Sequence, residues 1–179
     1  VVFMILGFWS RKVFFDYLGS EVVGLESTAG NLLGFLNLAE LGIGMSVTYF
    51  LYKPLFTKDY EEINKIVALQ GWIYRRVAYL VIGGAVVLMC FFPQIFHGMK
   101  LPMWYAYAIF GAFLFNSLLG YFINYRQIVL NTDQKGYKVT RVTTGVGVVL
   151  KILLIVMLPI VPSPFLFYVG TTLFSTVFS

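Results

Sequence analysis

Two stretches of this chain run uncharged for longer than a membrane is thick. Between Arg76 and Lys100 lie 23 residues with no acid or base except His97, and between Lys100 and Arg126 lie 25 with none. A helix rises about 1.5 Å per residue, so ~20 apolar residues cross the hydrocarbon layer of a bilayer. Residues 27–52 are interrupted only by Glu40, and residues 142–162 only by Lys151. The opening run to Leu18 carries Arg11, Lys12 and Asp16, whereas residues 163–179 carry no charge. In lipid the backbone must bond internally, which leaves helices or a closed barrel. Uninterrupted runs of this length contradict the alternation of barrel strands. The expected class is therefore an all-α integral membrane protein. It forms a single helical lobe with segments near 1–18, 22–52, 63–97, 101–131, 137–160 and 164–179.

Composition agrees. Charged residues make up 12% of the chain and hydrophobic ones 59%, against roughly 25% charged in a soluble domain. The formal charge of +5 does not point to nucleic acid, because the bases sit singly or in pairs between apolar runs, as topology signals do. Lys53, Lys58 and Lys65 follow the second segment, and Arg126, Lys135, Lys138 and Arg141 surround the fourth-to-fifth connection. Those connections are expected to face the cytoplasm. Residues 57–65 are expected to form a short amphipathic helix there. All six prolines are placed at segment ends, where a missing N–H costs least. Both termini are apolar, so the chain is expected to be a fragment cut through its first and last helices. No charged region precedes the opening run, so no signal peptide is expected.

Charges inside spans need an explanation, since each costs ~2.5–3.5 kcal/mol at a helix centre on insertion scales. Arg11, Glu40 and Lys151 are such charges. In the second segment Ser27, Asn31, Gly34, Asn37, Glu40, Gly44 and Thr48 recur at steps of three or four, forming one face. Asn116, Gly120, Asn124, Gln127 and Asn131 do so in the fourth, and Thr140, Thr144, Gly147 and Lys151 in the fifth. Helix packing accounts for the glycines, and snorkelling or a structural Glu–Arg pair accounts for part of the charge. The Asn, Glu and Lys positions point instead to an internal water-filled cavity. Glu40 is expected to face it and to pair with Arg11. No nucleophile with an adjacent base can be assembled. Gly42 and Gly44 read as packing glycines within a helix, His97 as an interfacial residue and Cys90 as core. No enzyme activity, cofactor or metal is expected.

Two longer motifs carry a resemblance. Leu38-Ala-Glu-Leu-Gly-Ile-Gly-Met-Ser-Val-Thr-Tyr-Phe-Leu-Tyr-Lys-Pro54 resembles the second helix and cytoplasmic exit of bacterial polysaccharide (O-antigen) flippases. Tyr125-Arg-Gln-Ile-Val-Leu-Asn-Thr-Asp-Gln-Lys-Gly-Tyr137 is similar to their fourth-to-fifth connection, and residues 11–24 to the end of their first helix. These proteins belong to the multidrug/oligosaccharidyl-lipid/polysaccharide exporter superfamily. The resemblance implies a six-transmembrane-helix N-terminal lobe of a two-lobe transporter in the bacterial cytoplasmic membrane, whose second lobe is missing here. It implies a lipid-linked oligosaccharide substrate on undecaprenyl pyrophosphate, contact with membrane lipids and room for a coupling ion. Arg11 and Glu40 occupy places that related lipid II flippases fill with Arg and an Ala-Glu-Gly segment. Lys12 stands where those have an acid, and Lys151 maps onto no family motif. The expected substrate-binding set is Arg11, Asn31, Asn37, Glu40, Asn116, Asn124 and Lys151. Competing expectations are a drug or cation exporter of the same superfamily, a membrane-embedded envelope-sugar enzyme and a structural subunit.

Overall fold

The computed structural model describes the backbone of residues 2–40 and 42–177, and their side chains except those of residues 2, 3, 39, 124, 176 and 177. Every regular element among the described residues is helical. Helix α1 (Val2–Asn37) is broken at Gly19, whose φ of 81° and ψ of 167° lie far from helical values. That region of backbone space is open essentially to glycine alone. The break reverses the chain. Arg11 and Glu26 touch at 2.8 Å, although fifteen residues of continuous helix would hold them ~22 Å apart.

The second arm of α1 gives way to a 3-10 turn at Leu38–Glu40, and α2 (Ile43–Thr57) starts after Gly42, whose φ is +86°. This corrects the expectation of one unbroken second helix with Gly42 packed inside it. Glu40 sits at the break. Helix α3 (Tyr60–Ile95) spans 36 residues, ~54 Å of helix and well beyond one hydrocarbon layer. Its start is capped by Asp59, whose side chain accepts from the Glu62 N–H at 3.1 Å. Glu61 pairs with Lys65 one turn on. The expected amphipathic helix at 57–65 is thus no separate element: from Tyr60 onward it is the first turns of α3. Helix α4 (Trp104–Phe122) is followed by a 3-10 turn at Asn124–Arg126 and the short α5 (Gln127–Thr132). Helices α6 (Gly136–Met157) and α7 (Pro164–Val177) complete the chain. Pro54 and Pro93 fall inside the ends of α2 and α3 rather than beyond them, while Pro164 opens α7, a position that needs no N–H.

Three helices, α3, α4 and α6, are long and apolar enough to cross a membrane. Helix α4 is central and packs on α1, α3 and α7. The main core joins Phe14, Val22, Leu25 and Ala29 of α1 to Ala85 and Phe92 of α3, Ile109 and Phe110 of α4, and Phe165 of α7. Lipid offers no hydrophobic drive between helices, so close packing of small residues and rings takes that role. Phe92 is fully buried, with the rings of Phe96, Tyr107 and Phe110 centred 5.1–5.2 Å away. Helix α6 buries none of its described residues.

Candidate functional site

The break at Gly42 opens the first site. Where a helix stops inside a bundle, its freed backbone and the side chains beside it line space instead of packing. A cavity of about 470 Å³ lies there, walled by Asn37 and Glu40 on one side, Gln70 and Tyr74 of α3 opposite, and Asn116, Ser117 and Tyr121 of α4, with Tyr125, Gln127 and Asn131 completing it. The Tyr74 hydroxyl donates to Glu40 Oε1 at 2.7 Å. Asn37 Oδ1 accepts from both Ser117 and Tyr121 at 3.0 Å. The Tyr74 ring meets Tyr121 and Tyr125 edge-on, with centroids 5.6 and 6.5 Å apart. Gly71 makes room for that wall, since a Cβ there would stand 3.0 Å from the Tyr125 ring. Next to Tyr125, Arg126 Nε donates to the Tyr125 hydroxyl at 3.3 Å, and this hydrogen bond pushes the guanidinium pKa above its ordinary value.

The second site is charged. A cavity of about 340 Å³ between the first arm of α1, α6 and α7 is lined by Arg11, Glu26, Lys151 and Tyr168, with Gly7, Ser10, Phe14 and Leu154 around them. Glu26 accepts from Arg11 Nη1 at 2.8 Å and from the Tyr168 hydroxyl at 2.9 Å. Lys151 lies close along the first arm: a Cβ on Gly7 would sit 3.0 Å from its Nζ. Two basic side chains and one carboxylate line this cavity, and such charged donors are of the kind that hold an anion.

The two sites are related by α1. Glu26 and Asn37 are eleven residues apart, three turns, so they lie on one helix face ~16 Å from each other. Between them Gly30 and Leu33 are packed, and a Cβ on Gly30 would stand 3.7 Å from Phe113. The sites are separate cavities.

Of the expected site residues, Asn37, Glu40 and Asn116 come together in the first cavity, and Arg11 and Lys151 in the second. Asn31 is exposed and lines neither. The Asn124 side chain is outside the described residues. The expected Arg11–Glu40 pair does not form: Arg11 is held by Glu26 and Glu40 by Tyr74. Glu26 carried a readable signal, because it follows Gly19 by seven residues while Arg11 precedes it by eight. A reversal at that glycine sets both at one depth. Gln70 and Tyr74 are also absent from the expected set. Their spacing of four puts them on one face of α3, within the buried row that continues through Ala78 and Val81.

These features define a helical protein with helices able to span a membrane, a polar cavity with one carboxylate at a helix break, and a charged cluster between helices. Compared with family models, curated proteins and solved structures, the chain finds no match.

Proposed function

We propose that this chain is one lobe of a transporter that flips lipid-linked oligosaccharides across a bacterial cytoplasmic membrane for surface polysaccharide synthesis. Six helical segments, counting the two arms of α1 separately and joining α2 to the second arm and α5 to α4, would form the N-terminal lobe of a two-lobe exporter. The observation that carries the reading is the cluster of Arg11, Lys151 and Glu26 between helices. A pyrophosphate crossing an apolar layer needs cations on its path, and Arg11 and Lys151 both line this cavity. The resemblance of residues 38–54 and 125–137 to polysaccharide flippases supports the same conclusion. Alternating access would rock this lobe against a second one.

The test is restoration of surface polysaccharide in a flippase-deficient strain, normalised to protein in the membrane. Arg11→Ala and Lys151→Ala should each lower export at unchanged protein level, and Arg11→Lys should restore only part of it, since Lys lacks the planar fork. Full export by the double alanine variant would remove this site and return the cluster to a structural role. A drug or cation exporter of the same superfamily is favoured by one feature, the Glu40 carboxylate among tyrosine rings, which suits an organic cation. Cells in which the protein lowers ethidium accumulation without restoring polysaccharide would select that reading.

A further inference from the structure

A third cavity, of about 540 Å³, lies between the first half of α3 and the α4–α5 break. Arg75 and Arg126 line it with Asn64, Tyr125, Val67 and Val129, and none of its lining residues is an acid. Both arginines are exposed, so a ligand can reach them. Each is also fixed at Nε: Arg75 donates to the Gly71 carbonyl at 3.2 Å and Arg126 to the Tyr125 hydroxyl at 3.3 Å. Gly71 and Tyr125 are themselves in contact, since a Cβ on Gly71 would stand 3.0 Å from that hydroxyl. A guanidinium held by Nε keeps its Nη amines for an anion, and neither arginine is in an ion pair among the described residues.

The sequence sets the depth of this pair. Residues 77–99 carry no Asp, Glu, Lys or Arg and follow Arg76, and residues 101–125 carry none and end at Arg126. Helices α3 and α4 bear these runs and pack together, with the Tyr74 ring against Tyr121 and Tyr125. Arg75 and Arg126 therefore stand at one edge of the hydrocarbon layer. Trp72, with the Arg76 guanidinium 3.8 Å from its ring centroid, is the residue type of that boundary. On the hydrocarbon side the exposed rings of Tyr79 and Phe122 meet at 6.4 Å. Each is four residues from an arginine, Tyr79 after Arg75 and Phe122 before Arg126.

We propose that this cavity holds the phosphate of an anionic membrane phospholipid, which receives Nη donors from Arg75 and Arg126 while its acyl chains lie over Tyr79 and Phe122. Basic pockets between helices at a membrane edge suit such headgroups. A soluble phosphate would meet the same guanidinium forks but would leave the two rings below them uncovered. The site needs a membrane but not the transported substrate, so it stands or falls apart from the export function proposed above.

Native mass spectrometry of the protein released from neutral detergent tests this. The probes are dioleoylphosphatidylglycerol, dioleoylglycerol with the same chains and no phosphate, and glycerol phosphate with no chains. Dioleoylphosphatidylglycerol should stay bound where the other two do not. Arg75→Gln and Arg126→Gln should each weaken its retention about tenfold, the worth of a charge-assisted hydrogen bond. Arg76→Gln, at the same depth but outside the cavity, should leave it unchanged. Arg126→Gln removes no backbone contact, so it keeps the test decisive where Arg75→Gln, which loses the Gly71 bond, fails to insert. Equal loss in Arg76→Gln would reduce the effect to general surface charge and overturn the site. Undiminished retention by Arg126→Gln, or equal retention of dioleoylglycerol, would overturn it as well. Displacement of the lipid by an equal concentration of glycerol phosphate would make this a soluble-anion site and overturn the lipid.

Discussion

Glu26 holds two donors at once, and the strength of its grip differs on the two sides. The Arg11 side chain is 52% exposed and that of Glu26 21%, so the ion pair is weakened by its surroundings toward the value of an exposed pair. The Tyr168 hydroxyl is buried and makes the more valuable bond. Glu26→Gln should therefore lower stability by about 1 kcal/mol, because the amide oxygen still accepts from Tyr168 while the charge on Arg11 goes unanswered. A double-mutant cycle followed by denaturant unfolding in micelles should give Arg11 and Glu26 a coupling above about 0.5 kcal/mol. Arg11 with Glu40 should be additive to within about 0.3 kcal/mol, being in separate cavities. Coupling to Glu40 instead would mean that the charge network is the one expected from the sequence. Arg11, Glu40 and Lys151 were legible one by one, because an ion within a long apolar run stands out, whereas Glu26 was not singled out. Their pairing was not legible, since it depends on where the chain turns back.

Those turning points are made at the scale of the element. Gly19 has a backbone conformation that a Cβ forbids, and Gly42 one that a Cβ disfavours. Gly19→Ala should cost about 1–3 kcal/mol and Gly42→Ala about 1–2 kcal/mol. Gly24 meets nothing within 4 Å and has no left-handed φ, so Gly24→Ala is the control and should be neutral or slightly stabilising. Thermal unfolding in detergent reads all three, and equal effects at positions 19 and 24 would refute the strain assigned to the first break. The helical class, with helices long enough to cross a membrane, could be read from the sequence because uncharged length is a property of the chain alone. The breaks inside them could not. Gly42 and Gly44 are two residues apart in the same apolar context, yet only Gly42 leaves the helix, while Gly44 stays in α2 with a virtual Cβ 3.7 Å from the Tyr74 hydroxyl. The break between α4 and α5 contains neither glycine nor proline, so no local signal marks it. The first cavity lies between these two breaks, and for that reason its Asn and Glu residues could be listed while Gln70 and Tyr74 were missed.

At the scale of the whole molecule, packing joins the two basic connections. Val47 and Leu51 of α2 and Ile63 of α3 form one cluster with Ile128 and Val129 of α5. The turn bearing Lys58 and the turn bearing Lys135 are therefore at the same end of the bundle. Positive charge is retained on the cytoplasmic side of short loops, and Lys53, Lys58, Lys65, Lys135 and Lys138 all lie near these two turns. The Gly19 reversal and the proline-bearing turn before α7 belong to the opposite end, where Lys100 is the base between α3 and α4. Cysteines introduced at positions 58 and 135, with Cys90 replaced, should both react with a membrane-impermeant maleimide only after permeabilisation. Reaction at both positions in intact cells would invert the orientation and place the Glu40 cavity at the outer face. Reaction at one position alone would contradict the shared end, because no rigid placement of this bundle separates residues tied through Leu51, Ile63 and Ile128.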